Sequence, residues 1–115
     1  VLGDFNIAPD DRDVHDPAVW NDDHILTSTA ERDALKRMYA LGLHDAFRLH
    51  HQDGGIFSWW DYRMAGFRRD LGLRIDLTLV SAALRDRAHA AGIDREPRTW
   101  ERPSDHAPAW VELRD

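Results

Sequence analysis

A single α/β domain is what the sequence predicts, and three observations predict it. From Leu73 to Val80 apolar and polar side chains alternate, which is the period of a strand. Ser28 and Glu31 stand three residues apart ahead of an apolar stripe of Leu35, Met38 and Tyr39, with Gly42 beyond it, the pattern of a capped amphipathic helix. Finally, 115 residues, 43% of them hydrophobic, suffice for one core and not for two of ordinary size.

The elements follow in order. Val1 to Ile7 is a short apolar run with Asp4 and Asn6 inserted, read as a strand that ends at Pro9 and the acidic stretch Asp10 to Asp13. Asp13 to Thr27, with Pro17 and Asn21 and no sustained period, is expected to wander over the surface. The capped helix spans Thr29 to Leu41, and Leu43 to His51 is a short helical or irregular piece. Asp53-Gly54-Gly55 is a turn feeding the aromatic run Ile56 to Arg63, read as a strand with an exposed end. A polar loop from Met64 to Gly72 precedes the alternating strand, which puts Leu73, Ile75, Leu77 and Leu79 on one face and Arg74, Asp76, Thr78 and Val80 on the other. Ser81 to Ala91 reads as a short helix capped by Ser81, Arg95 to Pro103 as an extended loop, and Ala109 to Leu113 as a last strand.

Composition excludes several function classes. No run of 18 apolar residues and no basic-then-apolar leader is present, so the expectation is a soluble protein with no membrane partner, cytoplasmic by default. The absence of cysteine removes disulfides, thiolate metal sites and cysteine nucleophiles. With 21 acids against 15 bases the net charge is -6, so any contact with a phosphate backbone must be local. Seventeen of the acids are Asp, a residue suited to turns, caps and hard-metal ligation.

Four places carry candidate chemistry. Asp4 and Asn6, two apart on a strand, would leave the same face with Cα atoms about 7 Å apart and flank one phosphate or ion. The equal alternative is a strand end turning into a loop, where Asp and Asn are common. Asp76 lies mid-strand among apolar neighbours, where a carboxylate must be paired. It either bridges to Arg74 on its own face or accepts a hydrogen bond from an imidazole and fixes its tautomer. Pro103-Ser104-Asp105-His106-Ala107-Pro108 supplies such an imidazole on a loop restricted by two prolines. Trp59, Trp60 and Tyr62 are sheet packing or a wall for a flat ligand. An EF-hand is rejected because Asp16 and Asp22 stand where its Gly and Glu belong. A zincin site is rejected because His44, His50 and His51 lack its spacing, and these histidines are read as solvated.

Four blocks in order, Gly3-Asp4-Phe5-Asn6-Ile7-Ala8-Pro9, Phe57-Ser58-Trp59-Trp60-Asp61-Tyr62-Arg63, Gly72-Leu73-Arg74-Ile75-Asp76-Leu77 and Pro103 to Pro108, resemble the C-terminal half of the exodeoxyribonuclease III family of the endonuclease/exonuclease/phosphatase superfamily. The resemblance covers essentially all of residues 1–115. It implies half of a four-layer α/β/β/α sandwich, with one mixed, mostly antiparallel sheet and flanking helices. It also implies Mg²⁺-assisted (or Mn²⁺-assisted) hydrolysis of duplex DNA 5′ to an abasic site, with 3′ to 5′ exonuclease and 3′-phosphatase activities, in base excision repair beside the nucleoid. By that carry-over Asp4 handles the proton of the attacking water or of the leaving group. Asn6 holds a phosphate oxygen or a metal-bound water, and Asp76 orients His106, which contacts the phosphate. Asp4, Asn6, Asp105 and His106 serve the metal; Trp59, Leu73 and Ile75 line the pocket for the extruded abasic sugar. The family's further Asn, its main metal-binding Glu and its catalytic Tyr belong to segments that would precede Val1. The chain alone is therefore expected to be nearly inactive and to expose an apolar sheet face, to be covered by the other half of the fold or by self-association. The other readings are a superfamily phosphatase of phospholipids or inositol phosphates and a non-catalytic binding or assembly module.

Overall fold

A computed structural model describes residues 1–115. Its strands and helices run β1 (Leu2–Asp4), α1 (Thr29–Ala40), β2 (Leu43–Asp45), α2 (Ala46–His50), β3 (Trp59–Trp60), β4 (Gly72–Leu73), β5 (Asp76–Ser81), α3 (Ala82–Arg85), β6 (Ala88–Ile93) and β7 (Ala109–Leu113). β5 is central, antiparallel to β1 on one side and to β2 on the other, while β3 with β4 and β6 with β7 form two-stranded ladders. The α/β class is as expected, but the expected single mixed sheet is three hydrogen-bonded pieces, antiparallel in every ladder. No helix is long and apolar enough to cross a membrane.

α1 forms where its caps and stripe require. Ser28 Oγ accepts from the Glu31 amide at 3.2 Å. The Glu31 carboxylate in turn accepts from the Ser28 hydroxyl at 2.7 Å and from the Leu26 amide, two residues further back than an ordinary capping box reaches. Leu35 then packs with Leu77 and Leu79 of β5, flanked by Met38 and Tyr39. Each such buried leucine contributes about 1.5–3 kcal/mol, and together they fix α1 against one face of β5.

Several expected elements differ. β1 stops at Asp4, and Asn6 sits off the strand in the left-handed region at φ 54°, so Asp4 and Asn6 are not a same-face strand pair. The strand expected over Ile56 to Arg63 is only Trp59–Trp60, because the chain turns at Arg63–Ala65. The alternating strand breaks between β4 and β5. There the amides of Ile75 and Asp76 both donate to Ser58 Oγ at 3.0 Å, and the Arg74 amide donates to the Asp13 carbonyl, so side chain and loop replace a neighbouring strand. Its second face is not solvated either: Arg74, Thr78 and Val80 are buried along with Leu73, Ile75, Leu77 and Leu79.

The helix expected over Ser81 to Ala91 ends at Arg85, and Ala88–Ile93 is a strand paired with β7. Alanine-rich sequence favours helix locally, and the ladder to β7 overrides that preference. The Trp110 ring packs across Gly92, where an added Cβ would come within 2.7 Å of it. The expected loop over Arg95 to Pro103 contains a 3₁₀ turn, Glu96–Thr99.

The segment after Pro9 does not simply wander. Asp13 is wholly buried and accepts from Arg74 Nε at 2.7 Å and from Arg48 Nη2. Arg74, itself 1% exposed, also forks onto Asp45 at 3.1 and 2.6 Å and lies over the Phe47 ring. Burial would lower the Arg74 pKa, but the hydrogen bonds and charges of Asp45 and Asp13 outweigh it and hold the group above its ordinary value. This ionic knot ties the 3₁₀ turn at Asp11–Asp13 to the break between β4 and β5, to the end of β2 and to α2. The histidines read as solvated are partly engaged: His50 and His51 ring nitrogens bond the Ala88 and Ala91 carbonyls at 2.7 and 2.6 Å. Large exposed apolar side chains on strands are Leu2 of β1 and Trp110 and Leu113 of β7; the others lie at the first residue, on loops and at helix ends.

Candidate active site

The register of β1 against β5 sets Asp4 directly opposite Asp76. Two carboxylates across a ladder repel, so the arrangement calls for a third group between them. His106 supplies it. Its Nδ1 lies 2.8 Å from Asp76 Oδ2, and its Nε2 lies 3.6 Å from Asp4 Oδ2 and 3.9 Å from Asp105 Oδ1. With Asp76 accepting the Nδ1 proton, the tautomer is fixed and Nε2 faces the open side of the site. Arg74 is engaged with Asp13 and Asp45, which resolves the two sequence readings of Asp76 in favour of the imidazole.

The loop bearing His106 is anchored to the aromatic block. Trp60 N donates to the Asp105 carbonyl at 3.1 Å, Ala107 N donates to the Ser58 carbonyl at 2.7 Å, and Trp59 Nε1 donates to Asp105 Oδ2 at 3.0 Å. Trp59 is also bridged to His106 through the backbone. Burial pushes the Asp76 carboxyl above its usual pKa, aided by the nearby Asp4 charge, while hydrogen bonds to His106 and Ser58 pull the other way. Asp4 is more exposed, and its Oδ1 accepts the Asn6 amide at 3.0 Å, leaving Oδ2 toward His106.

The structure brings Asp4, Asp76, Asp105 and His106 together. Asn6 adjoins them through the backbone of its turn, with an exposed side chain. Trp59 faces a cavity of about 510 Å³ shared with His15, Trp20 and Met64. Leu73 and Ile75 lie beneath it in the core with Ala8 and Val14, 0% and 2% exposed, so in this conformation they present no surface to a sugar. Sequence reasoning missed Ser58, whose hydroxyl sets the β4–β5 break; only its place beside the aromatic block marked it. It also missed the Asp13–Arg74–Asp45 knot, for which no local signal exists.

Asp4, Asp76 and His106 line a cavity of about 360 Å³ together with Leu2, Thr78 and Ser104. A larger one of about 440 Å³ opens by Arg12, Arg32, Arg48 and Arg74, whose guanidiniums pair with Asp10, Asp11, Asp13 and Asp45, although Arg32 Nη2 is buried without a partner. The smaller cavity holds the carboxylates of Asp4 and Asp76 with the imidazole between them. One ligand atom each from Asp4, Asp76 and His106 falls within 4.8 Å of the others. With Asp105 beside them, the carboxylate oxygens of this set suit a hard divalent cation, with the imidazole at its edge.

Residues 1–106 match the Endonuclease/Exonuclease/phosphatase family. The chain is 40% identical over 120 residues to exodeoxyribonuclease III of Haemophilus influenzae, covering 99% of this chain and 45% of that protein. It is 35% identical to an exodeoxyribonuclease of Bacillus subtilis, covering 98% and 42%. Among solved structures it is similar to a Neisseria 3′ phosphatase bound to a product DNA hairpin, with a TM-score of 0.95 and 46% identity over 98% of this chain and 44% of that one. An AP endonuclease from Archaeoglobus fulgidus gives 0.91 and 35% over 97% and 44%. The chain thus spans a little under half the length of these relatives. Together with the opposed carboxylates and the imidazole between them, the match over residues 1–106 establishes that this chain belongs to the Endonuclease/Exonuclease/phosphatase family and is related to its exodeoxyribonuclease III and AP endonuclease members.

Proposed function

We propose that residues 1–115 form the C-terminal half of a DNA phosphodiesterase that cleaves duplex DNA at abasic sites and trims or dephosphorylates 3′ ends, in base excision repair at the nucleoid. The observation that carries this reading is the His106–Asp76 pair at 2.8 Å with Nε2 free beside Asp4. In the reaction, water adds to phosphorus and the bond from phosphorus to the 3′ oxygen breaks. One proton leaves the attacking water and one is gained by the departing alkoxide. Asp76 accepts the Nδ1 proton, so the His106 ring is held with Nε2 directed toward the phosphoryl group as charge develops there. Asp4, with Oδ2 unencumbered by its turn, takes the water proton or protonates the leaving oxygen. Asn6 orients a phosphate oxygen or a water, and Trp59 walls the site that receives the extruded sugar, which without a base unstacks at low cost.

The clustered acids would repel a phosphate by themselves. Asp4, Asn6, Asp105 and His106 would hold Mg²⁺ or Mn²⁺, which when bound supplies positive charge to the phosphoryl group. The other half of the fold is the expected partner of the outer side of β1, where Val1 and Leu2 are exposed, and it would complete the metal ligands.

The test is cleavage of an abasic duplex in the presence of Mg²⁺ by the chain alone and with the amino-terminal half of the fold supplied. The chain alone is expected to be nearly inactive. In the completed protein, His106→Ala should slow turnover by about 100-fold or more, the scale of losing an acid-base or charge-stabilising group. A loss under about tenfold for both His106→Ala and Asp76→Asn would remove the assigned roles. Competition by an inositol phosphate stronger than that by duplex DNA would move the protein to the phosphatase branch of the family.

A further inference from the structure

We propose that Arg98 is a positioning residue for the Ser104–Asp105–His106 loop, an inference that rests on the nuclease reading above for its consequence but not for its geometry. Arg98 lies in the 3₁₀ turn Glu96–Thr99, only 6% exposed, and its Nη1 donates to the Ser104 carbonyl at 2.9 Å. Its guanidinium carbon sits 4.7 Å from the Phe67 ring centroid, 5.6 Å from Tyr62 and 5.7 Å from Trp60, and Nε is buried without a hydrogen-bond partner. A cation that has given up its water here is held by three ring faces and one carbonyl. A planar guanidinium suits that environment better than a compact, strongly hydrated ammonium.

The same aromatic wall holds the loop on both sides of that contact. Tyr62 OH donates to the Pro103 carbonyl at 2.7 Å and Trp60 N to the Asp105 carbonyl at 3.1 Å, so consecutive carbonyls from 103 to 105 are each fixed. Ser104 passes the constraint on, because its Oγ accepts the His106 amide at 3.0 Å. His106 must in turn keep its ring 2.8 Å from Asp76. Releasing the Ser104 carbonyl therefore loosens the imidazole without touching it, and a displacement of about 1 Å at a reacting group costs on the order of 100-fold in rate.

Amide hydrogen exchange in the 115-residue chain tests this, comparing Arg98→Met, which keeps an apolar stem against the rings but loses the donor, with the parent. Exchange at the His106 amide is expected to rise about tenfold or more while that of Leu79 in β5 is unchanged, the signature of local rather than global opening. In the completed protein, kcat should fall with KM unaltered. If His106 and Leu79 accelerate together, Arg98 is a stability residue only, and if neither changes it holds nothing; either result overturns the inference. Should Arg98→Met fail to fold, Arg98→Leu, which likewise keeps apolar bulk against the rings and loses the donor, gives the same comparison. Absence of turnover in the completed protein carrying Arg98 would sink the nuclease reading while the exchange comparison still decides the role of Arg98.

Discussion

Replacing Asp76 by Asn separates what this carboxylate does for chemistry from what it does for folding. Asp76→Asn keeps the size of the side chain and an oxygen acceptor but removes the charge that faces His106 at 2.8 Å. A hydrogen bond to a charged group contributes about 1.5–3 kcal/mol, which corresponds to roughly 10- to 150-fold in rate if it is felt fully in the transition state. For stability the sign differs. Burial raises the folded-state pKa of Asp76 above its ordinary value of 3.8, so folding favours its protonated form. That contribution is fully present below the unfolded pKa and is lost as pH rises through the folded one. The neutral Asn has no such dependence. The melting temperature of Asp76→Asn relative to the parent should therefore climb as pH is raised from below 3.8 toward neutrality, while phosphodiester hydrolysis in the completed protein falls. Thermal melts across that window and single-turnover cleavage of an abasic duplex measure the two effects. A relative melting temperature that falls with pH, or a rate within about threefold of the parent, would refute the assignment of Asp76 as a buried orienting carboxylate.

Other substitutions probe the supports of the site. Asp13→Ala strips Arg74 and Arg48 of a shared buried partner and should cost about 3–5 kcal/mol, more than about 10 °C in melting temperature. Asp11→Ala, at an exposed pair with Arg32, should cost no more than about 1 kcal/mol in the same calorimetric scan. Ser58→Ala orphans the amides of Ile75 and Asp76 and should cost about 1–3 kcal/mol by urea titration, with faster amide exchange at both. Gly92→Ala drives a methyl toward Trp110 at 2.7 Å and should cost about 1–3 kcal/mol, with altered Trp110 fluorescence or chemical shifts as the β6–β7 ladder spreads.

The parts of the fold legible in the sequence are those written in short-range pattern. α1 was announced by Ser28, Glu31 and the spacing of Leu35, Met38 and Tyr39, and it begins at Thr29 as read. β7 has the bounds its apolar run implied. β6 was not legible, since Ala88 to Ala91 favours a helix until β7 pairs with it. The break between β4 and β5 was hidden as well, because a serine 17 residues earlier in the chain takes the amides that an alternating pattern assigns to a ladder.

By itself the sequence determined which groups are available: paired prolines around Asp105 and His106, an acid in an apolar strand, Asp and Asn after a first strand, and four ordered blocks shared with a family. Tertiary structure alone decided which of them meet. Asp76 had an arginine two positions away and a histidine 30 positions away, and it took the histidine. Arg74 went instead to an aspartate 61 positions away. The physical reason is that a buried charge needs the nearest partner in space, and proximity in space is set by strand register and loop path, which local periodicity does not encode.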